Sequence, residues 1–224
     1  MISLGGKTLD LAAFEQIVLQ NKQININEAT LQDVVDCFQF LNDFSNDKLI
    51  YGINTGFGPM AQYRIDDADR KTLQYNLIRS HSSGMGALLT AQQCRATMLA
   101  RLHTLLLGFS GIHVNLVTLC VALINADAYP AIYTHGGVGA SGDLVQLAHL
   151  ALGLIGEGDF WFKGEVVPAT KVYETLKLKP LEIHIREGLG LLNGTSSMTG
   201  IGAINVLNAR KLMTGQILFS LMVN

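Results

Sequence analysis

Apolar residues recur at steps of three and four along several stretches of the chain, which is the spacing of one face of an α-helix. Three such faces are Leu31, Val34, Val35, Phe38 and Leu41; Met98, Leu99, Leu102, Leu105 and Leu106; and Leu116, Leu119, Cys120 and Leu123. A further long helix is predicted from Ser196 to Leu221, with Arg210 and Lys211 as its only charged residues. The pattern therefore predicts a mainly α protein.

A pair of short strands is predicted over Phe160 to Val167, where FWFKGEVV places a Lys-Gly turn between apolar pairs. The helix predicted from Ser196 is still apolar at its last residues, FSLMVN, with no capping glycine or polar tail. From that ending we expect the 224 residues to be the first part of a longer protein.

Composition adds a surplus of apolar surface to this picture. Hydrophobic residues make up 49% of the chain and charged residues 15%, against roughly 25% charged residues in an ordinary soluble domain. We therefore expect part of the apolar surface to lie against further protein. The longest uncharged run, Leu102 to Ala126, contains several polar residues and lacks flanking basic clusters, so it favours buried helices over a membrane span.

Charge and cysteine content disfavour several classes of function. Sixteen basic and eighteen acidic residues give a formal charge of −2, which leaves no basic surface for nucleic acid. Three cysteines without CxxC spacing disfavour a disulfide framework and a zinc site, so no metal ligand is assigned. The first residues do not resemble a secretory signal, and the expected location is the cytoplasm.

Three glycine-rich segments interrupt the helical pattern, at residues 51–58 (YGINTGFG), 135–143 (HGGVGASGD) and 187–195 (EGLGLLNGT). Such clusters mark places where the backbone itself is positioned, although each one alone is equally well explained as a turn. The middle segment also fits the GxGxxG pattern of dinucleotide-binding proteins. That alternative is disfavoured because the motif requires a buried strand before it and a second strand after it, whereas LVQLAHLALGLIGEG has a helical pattern.

A different chemistry is open to Ala140-Ser141-Gly142. If the Gly142 nitrogen bonds to the Ala140 carbonyl carbon, a five-membered ring closes, and loss of two waters leaves a methylidene on the former Ser141 carbon. Gly142 must lack a Cβ atom for its nitrogen to approach, and Ser141 must supply the leaving hydroxyl. The product is an electrophile, whereas ordinary catalytic side chains are nucleophiles, acids or bases.

The segment HGGVGASGDLVQLAHLAL resembles the active-site signature of the aromatic amino acid ammonia-lyases, which build a 4-methylideneimidazole-5-one (MIO) from Ala-Ser-Gly. YGINTGFG is similar to the catalytic tyrosine loop of that family, LQYNLIRSHSSGMG to its substrate-selectivity helix, and EGLGLLNGT to its asparagine motif. The resemblance covers the N-terminal half of the family protein, over residues 1–224.

The resemblance implies a long-helix bundle of the ammonia-lyase and fumarase/aspartase type, with a loop-rich N-terminal part that bears the MIO. It also implies a homotetramer whose sites combine several subunits, and no external cofactor. The implied activity is non-oxidative deamination of an aromatic amino acid. Because further catalytic residues lie in the absent half, the isolated chain is expected to be inactive. A truncated subunit that only associates with others, and a MIO-dependent aminomutase, are the open alternatives.

The resemblance also implies two groups of site residues. The catalytic group is Tyr51, Ala140, Ser141 and Gly142. The substrate-binding group is His81, Asn193 and Gly58. Tyr51 would remove the substrate β-proton, Asn193 would contact the substrate carboxylate or the ring oxygen, and His81 would face the substrate side chain. Asp143 is predicted either to cap the following helix or to assist ring closure, while His103 and His149 are taken as structural.

The substrate stays open between tyrosine, histidine and phenylalanine. Ser80-His81 at the selectivity position resembles histidine lyases, but NTGFGPMAQYRI and Val145-Gln146 are more similar to a group of bacterial tyrosine lyases. On that resemblance we expect L-tyrosine, which would give p-coumarate and ammonia. L-histidine, which would give urocanate and ammonia, is the alternative.

Overall fold

The computed structural model of the protein describes residues 1–6, 8–45 and 48–223, and it is mainly helical, as the sequence predicts. The helices are α1 (Leu11–Gln20), α2 (Glu28–Ser45), α3 (Asp67–His81), α4 (Ala91–Leu105), α5 (Val114–Asn125), α6 (Leu144–Leu154), α7 (Ala169–Leu176), α8 (Glu187–Leu192) and α9 (Ser196–Val223). The long helix at the end of the chain is confirmed, and Asn224 lies outside the described residues.

The strands are short, and within the described residues they form three small sheets. They are β1 (Ile2–Leu4), β2 (Ile24–Ile26), β3 (Met85–Leu88), β4 (Ala128–Pro130), β5 (Tyr133–His135), β6 (Asp159–Phe162) and β7 (Glu165–Pro168). β1 pairs with β2 in parallel, β3 with β5 antiparallel, and β6 lies between β4 and β7. The predicted strand pair is confirmed as β6 and β7, because Lys163 (φ 53°) and Gly164 (φ 83°) form the two-residue turn between them.

Helix α4 runs through the core. It begins at a capping box, in which the Thr90 hydroxyl oxygen accepts from the Gln93 N–H at 3.2 Å and the Gln93 side chain accepts from the Thr90 N–H at 2.9 Å. The predicted apolar faces of α4 and α5 are almost fully buried. In α2, by contrast, Val34 is buried while Val35 is 39% exposed, so the face predicted there is buried only in part.

Helix α9 packs its first half against α4 at very short range. A Cβ atom on Gly200 would lie 2.6 Å from the backbone carbon of Ala96, so a glycine lets the two helix backbones touch. Further along α9, Ile204 and Leu207 are buried, whereas residues 208–223 are all exposed. Within the described ranges, no helix has the length and apolar content that a membrane span requires.

Candidate functional site

The Ala140-Ser141-Gly142 segment lies at the surface, directly before α6. Ala140 and Ser141 are exposed, whereas Gly142 is half-buried against the backbone of Gly194. Gly142 has a φ of +105°, and a Cβ atom on it would lie 2.4 Å from the Gly194 carbonyl oxygen. No side chain fits there unless the backbone moves, so the position requires glycine, as the predicted ring does.

The Asn193-Gly194 turn lies against the Gly142 end of this segment. It joins α8 to α9, and the Gly194 carbonyl oxygen accepts a hydrogen bond from the Asp143 N–H at 2.7 Å. Behind the turn, the buried Arg101 of α4 donates from Nη2 to the carbonyl oxygen of Asn193 at 3.0 Å and to that of Gly190. The structure thus brings two of the predicted motifs, which are far apart in the sequence, into direct contact.

Asp143 does not cap α6 with its carboxylate, which corrects one of its two predicted roles. Its backbone (φ −86°, ψ 41°) departs from the extended conformation that a capping side chain needs, and it makes no capping bond. The carboxylate oxygen Oδ2 instead accepts from the Met198 N–H at 2.9 Å, in the first turn of α9. Negative charge is favourable at that helix end. A part for Asp143 in ring closure stays a prediction.

The Tyr51 side chain is 50% exposed, at the start of the first glycine-rich segment. Its hydroxyl oxygen accepts a weak hydrogen bond from the Gly58 N–H at 3.4 Å, and its ring meets the Phe57 ring edge-on, with 5.9 Å between centroids. The buried Asn54 holds the loop, because its side-chain oxygen accepts from the Ile50 N–H at 2.7 Å. Tyr51 and Gly58, assigned to different roles, are therefore direct neighbours.

Gln74 of α3 joins the Tyr51 loop to α8. Its side-chain nitrogen donates to the Gly52 carbonyl oxygen at 3.3 Å, and its side-chain oxygen accepts from the Leu189 N–H at 3.3 Å. A Cβ atom on Gly52 would lie 2.3 Å from the Leu189 side chain, so the loop sits close against α8. Gln74 thus forms hydrogen bonds to both the tyrosine loop and the asparagine motif.

His81 is the last residue of α3 and is half-buried. Its Nδ1 lies 2.9 Å from the Leu77 carbonyl oxygen and 3.1 Å from the Ser80 hydroxyl. Because a carbonyl oxygen only accepts, Nδ1 carries the hydrogen in this pair, which in the neutral imidazole leaves Nε2 as an acceptor. The histidine that is predicted to face the substrate therefore presents a hydrogen-bond acceptor.

His149 of α6 fixes the turn that follows His81. Its Nε2 accepts from the Gly84 N–H at 3.0 Å, and the Tyr133 ring meets it edge-on with 5.1 Å between centroids. Burial lowers the pKa of His149, which favours the neutral form that this bond requires. His149 is therefore a hydrogen-bonded structural residue, as the sequence predicts. Burial also lowers the pKa of His103 on α4.

Not all of the predicted residues touch one another. Gly142 contacts Gly194, the neighbour of Asn193, whereas the Tyr51 loop is linked to α8 through Gln74 and the turn after His81 is linked to α6 through His149. Among the described residues, no hydrogen bond joins the side chain of Tyr51 or of His81 to residues 140–142. A cavity of 260 Å³ lies beside Gly142 and is lined by Thr134, Gln146 and Met198 among others.

A larger cavity lies apart from the predicted site residues. The cavity, of 790 Å³, lies between α2 and the loop after α4, and none of the described residues that line it is a predicted site residue.

The strand before the GxGxxG match, β5, is antiparallel to β3 and half-exposed or exposed along its length. A dinucleotide site requires a buried parallel strand at this place, so the structure does not support that alternative.

Sequence reasoning missed three side chains that hold the site together, which are Asn54, Gln74 and Arg101. All three are buried polar residues, with 1%, 1% and 5% of their surface exposed. Only Arg101 had a signal, since it is the one charged residue between Met98 and Leu106, the ends of the predicted apolar face. Burial lowers the pKa of its guanidinium to about 10, and the Asp143 carboxylate opposes this shift.

Comparison with known proteins agrees with the motifs. The family model for aromatic amino acid lyases matches residues 9–224. Histidine ammonia-lyase of Deinococcus radiodurans is 41% identical over 208 residues, which cover 92% of this chain and 40% of that protein. Histidine ammonia-lyase of Shouchella clausii is 38% identical over 213 residues, which cover 95% and 43%.

Solved structures show the same relationship. The phenylalanine aminomutase of Pantoea agglomerans superposes with a TM-score of 0.91 at 28% identity, over 96% of this chain and 42% of that one. The chain thus spans less than half the length of these relatives. Since the family model covers almost the whole chain and the relatives match it from end to end, the chain belongs to the aromatic amino acid lyase family.

Proposed function

We propose that the protein is part of a carbon–nitrogen lyase that removes ammonia from an aromatic amino acid. The observation that carries the proposal is the contact of Gly142 with Gly194, in which a Cβ atom would lie 2.4 Å from a carbonyl oxygen. Through that contact, one end of the Ala-Ser-Gly segment lies against the asparagine motif. The position admits only glycine, and ring closure requires a glycine at the same position.

The residues present fit the MIO group. Ala140 is small, Ser141 is exposed so that water can leave, and Gly142 lacks the side chain that would keep its nitrogen from the Ala140 carbonyl carbon. A MIO formed here would supply an electrophilic carbon, which no ordinary side chain offers. The helix α6 begins directly after the segment, and its N-terminal end favours negative charge nearby.

Tyr51 is the proposed base for the β-proton of the substrate. The Gly58 N–H points at its hydroxyl oxygen, where it would stabilise negative charge once the phenol gives up its own proton. Asn193 is exposed beside the Ala-Ser-Gly segment, so its side-chain amide is available to bind a substrate carboxylate or the ring oxygen. Gly58 thus supports the substrate site through Tyr51.

For the substrate we favour L-histidine over the L-tyrosine expected from the sequence. Nε2 of His81 can accept from an imidazole N–H or from a phenol O–H, so the geometry alone admits both. The two curated relatives described above are both named histidine ammonia-lyase, and this supports histidine. An aminomutase is the second candidate, because the phenylalanine aminomutase structure superposes so closely. A cytoplasmic homotetramer stays part of the proposal.

The experiment is a peptide map of the purified chain across Thr134 to Leu150. A mass deficit of two waters within residues 140–142, absent from the Ser141→Ala variant, supports the proposal. An unmodified mass in a chain shown to be folded contradicts it for this chain. Turnover is then measured on the protein at its natural length. Faster release of urocanate from L-histidine than of p-coumarate from L-tyrosine supports histidine, and a β-amino acid product indicates an aminomutase.

A further inference from the structure

Arg101 is a buried cation whose partners are neutral backbone groups. Its surface is 5% exposed, its guanidinium donates to the carbonyl oxygens of Asn193 and Gly190, and its Nε has no partner among the described residues. Burying a guanidinium that binds only backbone oxygens is costly, and the charge of the Asp143 carboxylate offsets only part of that cost. The carbonyls that it binds lie at the C-terminal end of α8, where backbone oxygens lack partners within the helix.

The contacts of Arg101 continue to the Ala-Ser-Gly segment. A Cβ atom on Gly194 would lie 2.4 Å from the Arg101 Nη1 atom, so the guanidinium is pressed against this turn. The next carbonyl along, that of Gly194, accepts from the Asp143 N–H at 2.7 Å. The turn therefore lies between the guanidinium on one side and the Gly142-Asp143 peptide on the other.

We propose that Arg101 is a positioning residue, which holds the Asn193-Gly194 turn against the Gly142-Asp143 peptide and so places Gly142 for ring closure. The ring-closure part of this inference rests on the proposed function. The placement of the turn rests on the contacts of Arg101 alone, and it can be measured whether or not a ring forms.

Ring closure is sensitive to this placement. The new bond joins the Gly142 nitrogen to the Ala140 carbonyl carbon, and the Ala140 oxygen leaves as water with the hydrogens of the Gly142 and Ser141 nitrogens. The second water takes the Ser141 hydroxyl and the hydrogen on its Cα atom, so no oxidant or reductant is needed. A reaction between two groups of one chain depends on how closely they are held, and a displacement of about 1 Å can slow such a step by ~100-fold.

An arginine suits this position better than a lysine does. The planar guanidinium carries several N–H donors in a fixed arrangement, so a single residue can bind two carbonyl oxygens and lie flat against a third peptide. A lysine keeps the charge but offers a flexible point donor. We therefore expect Arg101→Lys to retain part of the effect and Arg101→Met to lose it.

The test compares Arg101→Met and Arg101→Lys with Arg95→Met. Arg95 lies on the same helix, is 2% exposed and also has an Nε with no partner in the described part of the chain, but its hydrogen bonds go to Asn21, Tyr129 and Asp127. Two quantities are measured in the folded fraction of each protein. They are the hydrogen-exchange rate of the Asp143 N–H and the rate at which residues 140–142 lose two waters.

We expect Arg101→Met to speed exchange of the Asp143 N–H by at least about tenfold and to slow the loss of two waters by at least about tenfold. For Arg101→Lys we expect both rates to change in the same directions by at least about threefold. Arg95→Met is expected to lower the unfolding midpoint while changing both rates by less than about twofold. If Arg101→Met does not fold, the two rates measured in Arg101→Lys test the inference. Wild-type rates in a folded Arg101 variant, or equal changes in Arg95→Met, would overturn the inference.

The exchange measurement separates this inference from the proposed function. If the wild-type chain never loses two waters but Arg101→Met still exchanges faster at Asp143, the proposed function fails and the positioning role stands. If the wild-type chain loses two waters and the Arg101 variants lose them at the same rate, the proposed function stands and the positioning role fails.

Discussion

The two halves of α9 differ in what surrounds them, although both are rich in apolar residues. The first half packs against α4, with Gly200, Ile204 and Leu207 buried. In the second half, over residues 208–223, every residue is exposed, and Ile217, Phe219 and several other large apolar side chains are more than half exposed. An apolar helix pattern therefore indicates that a face can be buried, while the neighbouring elements decide whether it is.

Part of the surplus of apolar surface that composition indicates lies on the second half of α9. The first half follows directly on the Asn193-Gly194 turn, so the helix contact and the candidate site form one packed unit. The second half is exposed throughout and forms a surface ion pair, between Lys211 and Glu15 at 2.9 Å. Such exposed pairs contribute little, so changes in the two halves should have very different consequences.

Gly200→Ala is expected to have the largest effect. The new Cβ atom would lie 2.6 Å from the Ala96 backbone carbon and 2.8 Å from the Thr97 nitrogen, which are backbone atoms that cannot rotate away. The helices must separate, and we expect the free energy of unfolding to fall by about 3 kcal/mol, the upper end of overpacking costs. Chemical denaturation followed by circular dichroism measures this change.

Gly215→Ala is the matched control in the exposed half of α9. Apart from the nearby backbone of α9 itself, no described atom lies within 4 Å of a Cβ atom on Gly215, so the expected change is the better helix propensity of alanine. We expect a gain in stability of up to about 1 kcal/mol, opposite in sign to the effect at Gly200. Destabilisation of similar size at both positions would show that the two halves are equally packed.

Glu187→Gln is expected to have the next largest effect, through the pH dependence of stability. Glu187 begins α8, just before the packed half of α9, and is fully buried. Its carboxylate accepts from the His113 N–H at 2.8 Å and the His184 N–H at 2.6 Å, while burial raises its pKa to about 7. The folded state therefore binds a proton more tightly than the unfolded state does.

A raised pKa gives stability that is present at low pH and is lost as the pH rises through the folded-state pKa. Between about pH 5 and pH 7, ionisation of Glu187 should lower the free energy of unfolding by about 2 kcal/mol. The neutral amide of the Glu187→Gln variant does not titrate, so the difference between wild type and variant should shrink by that amount over this range. If the difference in free energy of unfolding between wild type and variant stays constant with pH, the prediction is contradicted. His184 has a pKa that is lowered mainly by burial and contributes in the opposite direction, but it is present in both proteins and cancels in this difference.

The sequence predicted the elements of the fold better than their surroundings. Helical periodicity located α4, α5 and α9, and the Lys163-Gly164 pair located a strand turn, because these signals are local. The periodicity of α2 did not show that Val35 stays exposed, since that depends on which elements lie across from the helix. A local pattern of residues indicates whether a segment is a helix or a strand, but it does not indicate which other elements pack against it.

The candidate site divides in the same way. The motifs located the Ala-Ser-Gly segment and the asparagine turn, whose glycines are visible in the sequence. Gln74 and Arg101 bind backbone groups that are distant along the chain, and a single sequence does not indicate such pairings, whereas Asn54 binds the nearby Ile50 N–H within its own loop. Asp143 shows the same limit, because its carboxylate bonds to Met198 of α9 rather than to the helix that follows it.

Polar substitution of the exposed half should have the smallest effect on stability and a clear effect on association. Leu212→Gln, Ile217→Gln and Phe219→Gln replace side chains that are 74%, 60% and 69% exposed. Glutamine is a good helix former, so we expect each change in the free energy of unfolding to stay within about 0.5 kcal/mol.

An exposed apolar face favours association, and sedimentation velocity over a range of protein concentrations should show less self-association in the triple variant than in wild type. Leu207→Gln, in the packed half, is the control that should lower stability instead, because that side chain is buried. If the triple variant were as strongly destabilised as Leu207→Gln, the second half of α9 would be packed within the chain in solution. If its association were unchanged, the self-association would arise at another surface, and the contrast between the two halves would not explain it.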